Sequence, residues 1–192
     1  MPSTTTTRTF LGLALALASV AWMPTAPAAS KEEERAEVRK ISNETLDKLY
    51  AAQPAARAAV KKSAGYAVFS AFGTKIFVAG GGAGEGIAVN SKTRAITYMK
   101  MVEVQAGLGI GVKKFRLVWV FEKKADLDAF IDSGWELGAQ ATAAAKAADK
   151  GDAFAGAMSV KPGVWLYQIT DDGLALELTA KGTRYYKDDD LN

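Results

Sequence analysis

The 192-residue chain contains no cysteine and no histidine. The first absence excludes a disulfide framework, a thiol nucleophile, a thiolate metal site and a cysteine-linked lipid anchor. The second excludes a Ser-His-Asp triad, an imidazole general base and a His-ligated zinc. Catalysis would fall to Asp, Glu, Lys, Tyr or Ser, or to a borrowed cofactor. An excess of one charge is missing too: 24 Lys+Arg face 21 Asp+Glu, and a net +3 is too mild to point to nucleic acid. The rest is ordinary for a globular domain, with 49% hydrophobic and 23% charged residues. The length suits one domain, or one domain behind a processed leader.

The first residues read as an address. Met1 to Thr9 is polar with one cation, Arg8, and Phe10 to Ala21 is an apolar run. The run breaks at Pro24 and reaches Ala26-Pro27-Ala28. This is the order of a secretory signal peptide, and cleavage is expected after Ala28. The run is short for a bilayer span, which takes ~20 residues, and the small-residue site disfavours the rival reading of an uncleaved anchor. The expected product is released into the periplasm or secreted, without a lipid anchor.

Ser30 to Ser63 reads as helical. Ser30 is placed to cap, and Glu32, Glu33 and Glu34 occupy a first turn whose dipole favours anions. Val38, Ile41, Leu46 and Leu49 form an apolar stripe. Pro54 divides this helix from a second one, Ala55 to Lys62, which ends on Lys61 and Lys62. An amphipathic helix lying on the core is the favoured reading, and a helix touching a lipid surface is the sharper one.

From Gly65 the period changes to two. Tyr66 to Phe72, Lys75 to Ala79, Gly86 to Asn90, Ala95 to Gln105 and Lys114 to Glu122 read as strands, with a turn at Asn90 to Arg94. Ile96, Tyr98 and Lys100 share one face, and Thr97, Met99 and Met101 the other. Glu122 to Ser133 is a short helix with Leu127, Phe130 and Ile131 inward. Val164 to Thr170 and Leu174 to Thr179 are strands joined by the hairpin signal Asp171-Asp172-Gly173. Trp135 to Lys150 is ambiguous: its alanines favour helix, but its period of two favours strand, and strand is the expectation.

The glycine run Gly80 to Gly86 is no Walker A loop, because no Gly-Lys-Ser/Thr follows. The dinucleotide register lands on Ile87 and fails as well. What remains is Gly-x-Gly-x-Gly at Gly82, Gly84 and Gly86, repeated at Gly107, Gly109 and Gly111. In a strand this bares one face, letting a sheet bend or another group approach closely. A curved, barrel-like sheet is preferred over a phosphate cradle.

Cations gather around the second glycine stretch: Lys113, Lys114 and Arg116 follow it, and Lys123 and Lys124 end the next strand. Phe115, Trp119 and Phe121 interleave. Two readings stand: a surface for anionic lipid, and a solvated strand end with core aromatics. The acids assemble nothing catalytic. Asp126 and Asp128 suit a helix start, Asp171 and Asp172 a turn, and Asp188-Asp189-Asp190 a solvated tail lacking the pattern of a calcium loop.

Gly65-Tyr66-Ala67-Val68-Phe69 and the Gly80 to Gly86 run are followed by Gly134-Trp135-Glu136-Leu137-Gly138 and Gly163-Val164-Trp165-Leu166-Tyr167-Gln168. The chain closes with Gly173-Leu174-Ala175-Leu176, Gly182-Thr183-Arg184-Tyr185-Tyr186 and Leu191-Asn192. In order and spacing these stretches resemble the SYLF lipid-binding domain family, in its bacterial secreted branch. The resemblance implies a non-enzymatic domain, since eukaryotic members bind phosphoinositides and other anionic phospholipids, and some bind actin filaments. For a chain with a signal peptide it implies binding of anionic phospholipid in the cell envelope, with no actin partner. Eukaryotic members contact membranes partly through an N-terminal amphipathic helix and basic residues, which by position points here to the Glu32 to Lys62 region and, within it, to Lys61 and Lys62.

The expected fold is α+β: N-terminal helices and one short middle helix on a strongly curved, mostly antiparallel, barrel-like β-sheet. The expected organisation is a signal peptide at 1–28, a helical segment at 29–63 and a glycine-rich β domain at 64–192, with 29–192 as one folding unit. The expected lipid-binding residues are Lys61, Lys62, Lys113, Lys114, Phe115, Arg116, Trp119, Lys123 and Lys124. No catalytic residue, metal or cofactor is expected, and no nucleic-acid partner. The alternatives are an envelope structural or stress-related module that binds proteins, and a carrier with an apolar ligand inside the curved sheet.

Overall fold

The structure, a computed structural model, describes residues 30–76, 79–106, 111–137, 146–147, 154–170, 173–175 and 182–192. The leader, Gly107 and Gly109, most of the alanine-rich stretch and the end of the hairpin after Ala175 lie outside the described residues.

Local chemistry accounts for the helices. Helix α1 spans Lys31–Ala52 and opens on a complete capping box: the Ser30 hydroxyl accepts from the Glu33 amide, and Glu33 accepts from the Ser30 amide at 2.7 Å. These bonds to Ser30 hold the Glu33 carboxyl below its ordinary pKa. Pro54 separates α1 from α2 (Ala55–Lys62), as expected, and α3 spans Lys124–Ser133.

Strands β1 (Gly65–Ile76), β2 (Ala79–Asn90), β3 (Ile96–Ala106) and β4 (Gly111–Phe121) are the long ones. They are followed by β5 (Glu136–Leu137), β6 (Lys146–Ala147), β7 (Met158–Lys161), β8 (Val164–Thr170), β9 (Gly173–Ala175) and β10 (Gly182–Lys187). The sheet order is β5-β10-β3-β2-β1-β4-β8-β7-β6, with β9 also on β8. Every described pairing is antiparallel, and the sheet is strongly curved. The α+β expectation therefore holds. The described parts of the ambiguous alanine-rich stretch, β5 and β6, are strands.

The glycine run lies inside β2 instead of between two strands. Its bare face is turned to a packed interior. A Cβ on Gly86 would sit 2.0 Å from the Val68 carbonyl and 2.7 Å from the Phe69 ring, and one on Gly84 would meet Ala71 and Met101 at 2.9 Å. Glycine here admits the Phe69 ring against the neighbouring backbone.

Alternation then builds two cores. The α3 face of the sheet carries Ala67, Phe69, Met99, Met101, Trp119 and Phe121 under Leu127 and Phe130. Six rings meet there: Phe69, Trp119, Phe121, Phe130, Trp135 and Tyr185. Trp119 lies 5.9 Å from Trp135 edge-on and 5.4 Å from Tyr185. Gly134 brings Trp135 in: its φ of 63° and its approach to the Tyr185 carbonyl, 2.7 Å from where a Cβ would stand, both demand glycine. The opposite face packs Val68, Val118, Val120, Tyr167 and Ile169 against Leu46 and Leu49 of α1 and Val60 of α2.

Asp188 corrects the expectation of a solvated tail, whereas Asp189 and Asp190 are exposed as that expectation has it. Asp188 is 2% exposed and takes Lys100 Nζ at 2.9 Å; that bonded carboxylate holds Lys100 above its ordinary pKa. The Asn192 side chain donates to the Tyr98 carbonyl at 2.8 Å and accepts from its amide at 2.9 Å, like one more rung of β3. Leu191 packs with Val38 of α1, and Arg35 Nε donates to the Leu191 carbonyl at 2.7 Å. The closing Leu-Asn thus fastens α1 to the sheet.

One buried group gives a test of this helix–sheet seam. The Tyr167 hydroxyl has no hydrogen-bond partner among the described residues, and burial pushes its pKa up to about 12 from 10.0. The folded state keeps this proton longer than the unfolded chain, so the associated stability is present below pH ~10 and is lost as pH rises toward ~12. Tyr167→Phe removes an unsatisfied hydroxyl. Its expected stability at pH 7 stays within about 1 kcal/mol of the parent, and its decline between pH 10 and 12 is shallower. Urea titrations across that range check both outcomes.

Candidate functional site

Helix α1 crosses the sheet from the tail beside β3 toward β8, over the row Tyr98, Ile87, Val68, Val118 and Tyr167. The next row along the strands is polar. Register places Tyr186 beside Lys100, Lys100 beside Glu85, Glu85 beside Ser70, and Ser70 beside Arg116. Alternation turns this row to the face that α1 occupies. The row beyond it carries Arg184, Val102, Ala83 and Lys114.

A groove of about 530 Å³ follows from this arrangement. Val38, Ile41 and Glu44 of α1 form one wall. Ser70, Glu85, Lys100 and Arg116 lie along the floor, and Ala83, Val102 and Lys114 form the far rim. Val102 is 38% and Val104 68% exposed, on the same face.

The cations in this groove are not equivalent. Lys100 is committed to Asp188 and, at 3.5 Å, to Asp190. Arg116 and Lys114 form no ion pair or hydrogen bond with any described residue, and the Arg116 Nε is buried without a partner. An arginine so placed offers donors to an anion that enters the groove, with planar geometry suited to carboxylate or phosphate. Glu85, on β2 in the same groove, repels such a guest and favours the β4 end for its charge, while Glu44 stands on the α1 wall.

The residues nominated from sequence separate into three groups. Lys114 and Arg116 join this groove; the side chain of Lys113 lies outside the described residues. Lys61, Lys62, Lys123 and Lys124 are exposed at the other end of the sheet, where Gly65 pairs with Phe121. Lys114 pairs with Phe72, seven residues further along β1, or about 23 Å away. Within that distal group Lys124 is held by Asp128 at 2.5 Å. The nominated aromatics are core residues: Trp119 is 0% and Phe115 5% exposed. Trp119 belongs to the six-ring cluster, so its place is packing, away from any surface.

Sequence reasoning missed Ser70, Glu85, Lys100, Tyr186, Val102 and Val104. A signal existed for two of them: Val102 and Val104 continue the face that carries Lys100. The others become neighbours only through strand register.

Two comparisons bear on this arrangement. Residues 102–192 match the family model Ysc84, described as "Las17-binding protein actin regulator". Across 162 residues the chain is 34% identical to Beta cell expansion factor A of Aeromonas veronii. That alignment takes in 83% of this chain, and the chain spans 59% of the length of that curated relative. Residues 102–192, which include the Gly134-Trp135 corner and the Leu191-Asn192 clasp, belong to the Ysc84 family of SYLF domains.

Proposed function

We propose that this domain binds anionic phospholipid without catalysis, in the cell envelope, after export to the periplasm or beyond. The observation that carries this reading is that Arg116 and Lys114 of β4, which have no partner among the described residues, share a sheet face with the exposed Val102 and Val104 of β3, two strands away across β1 and β2. Anionic head groups meet the two cations while the valines lie against the apolar boundary, a combination suited to peripheral attachment. The SYLF family is known for lipid binding, which supports the class of ligand. The words "actin regulator" in the family description are not carried over, because the leader expected at residues 1–28 would direct the chain away from a cytoskeleton.

Co-sedimentation with vesicles tests the reading. Binding to phosphatidylcholine vesicles containing phosphatidylglycerol is expected to rise with the anionic fraction. It is expected to fall strongly between low salt and ~1 M salt, where the screening length shrinks to ~3 Å. Binding indifferent to both variables would remove the electrostatic basis of the proposal.

A further inference from the structure

The groove beside α1 has more apolar wall than a head group needs. Val38 and Ile41 line one side and Val102 and Ala83 the other, while Arg116 and Lys114, without partners among the described residues, stand at its β4 end. Its volume of about 530 Å³ falls within the roughly 300–1,000 Å³ typical of pockets that enclose a small organic ligand. A flat membrane contact would require neither the wall of α1 nor the depth that buries Arg116 Nε.

We infer that this groove takes up a single-chain anionic amphiphile, its acyl chain lying between α1 and the β2–β3 rim and its head group on Arg116 and Lys114. The inference rests on the reading of this face as an anionic-lipid site, and deepens it from a surface to a pocket with a molecular occupant. The shared chemistry is one flexible chain with a terminal anion, as in a free fatty acid or a lysophospholipid. A chain of this kind is removed from water along its length, and each methylene buried adds to the binding. Glu85 sets the direction: it lies one strand beyond Ser70 from Arg116, so the negative end is kept at β4 and the tail points toward Val102. A neutral alcohol of the same length offers Arg116 one uncharged acceptor in place of a charged, two-oxygen one and binds more weakly.

The experiment uses 11-(dansylamino)undecanoic acid as a monomeric probe, read by its emission in titrations with the protein. Laurate, lauroyl lysophosphatidylglycerol below its micelle threshold, and dodecanol serve as competitors. The expected result is saturable uptake, displacement by laurate or the lysolipid or both, and about tenfold weaker displacement by dodecanol. The two anionic arms decide between fatty acid and lysolipid as the preferred source. Ala83→Phe is expected to weaken probe binding about tenfold or more by filling the groove from its exposed rim, with co-sedimentation on phosphatidylglycerol vesicles changed less than about twofold. Ile41→Phe, on the α1 wall, is the second filling variant, used if the first alters the thermal unfolding midpoint.

Probe uptake unaffected by both filling variants would overturn the location. Equal displacement by dodecanol would overturn the anionic recognition. A parent protein that sediments with anionic vesicles yet ignores the monomeric probe would overturn the pocket and leave the surface reading standing. Failure of both assays would remove both.

Discussion

Trp119→Ala is expected to destabilise the domain by about 3–5 kcal/mol, the range for deleting a large buried ring, and to lower the thermal midpoint by roughly 10 °C or more. Trp119 is fully buried, and Phe121, Phe130, Trp135 and Tyr185 all lie within 6.4 Å of it, centroid to centroid. Removing it leaves a cavity among these four rings. The same variant separates packing from binding. Below its own midpoint, Trp119→Ala is expected to sediment with anionic vesicles as the parent does. Lost vesicle affinity at a temperature where circular dichroism reports a folded domain would place Trp119 at the membrane contact and contradict its position in the core. Chemical denaturation and sedimentation, run on the same preparation, give the two readouts.

The contrast between Trp119 and Arg116 shows where sequence reasoning reaches its limit. Both stand on one strand among alternating cations and aromatics, and composition alone treats them as one mixed patch. Strand parity assigns them differently: residue 119 shares the α3 face with 117 and 121, and residue 116 shares the α1 face with 118 and 120. Parity was readable, but which parity faced a helix was not. Features whose chemistry is local were legible at once. Ser30 and Glu33 satisfy each other three residues apart, Pro54 breaks a helix wherever it occurs, and Asn90 folds its own turn by accepting from the amides of Lys92 and Thr93.

Features that need distant partners were not legible. Asp188 looked like part of a solvated acidic tail because its counter-charge, Lys100, is on a strand 88 positions earlier. The floor of the groove draws Ser70, Glu85, Lys100 and Arg116 from four strands, and only hydrogen-bond register makes them a row. The glycine run was rightly separated from phosphate-binding loops. Its purpose, room for Phe69 against the neighbouring strand, emerges only when the ring is in place.

Replacing Lys114 and Arg116 together by Gln is expected to weaken binding to vesicles rich in phosphatidylglycerol by about thirtyfold. That figure follows from roughly 1 kcal/mol per cation near an anionic surface and 1.4 kcal/mol per factor of ten. The change leaves stability nearly intact, because neither side chain pairs with a described residue and Lys114 is exposed. The informative comparison is the distal quartet, Lys61, Lys62, Lys123 and Lys124, replaced by Gln in the same way. The quartet lies about 23 Å from the groove along β1, beyond the ~8 Å screening length at physiological salt, and Lys124 is already tied to Asp128. A domain that docks through the groove therefore loses less than about threefold with four charges removed at the far end, and about thirtyfold with two removed at the near one. Equal losses per charge would mean that the protein responds to its net charge and presents no oriented face. A larger loss from the quartet would move the membrane contact to the α2 end. Either pattern, measured by co-sedimentation at fixed salt, would set aside the groove as the docking face, because its case depends on position and not on the number of cations.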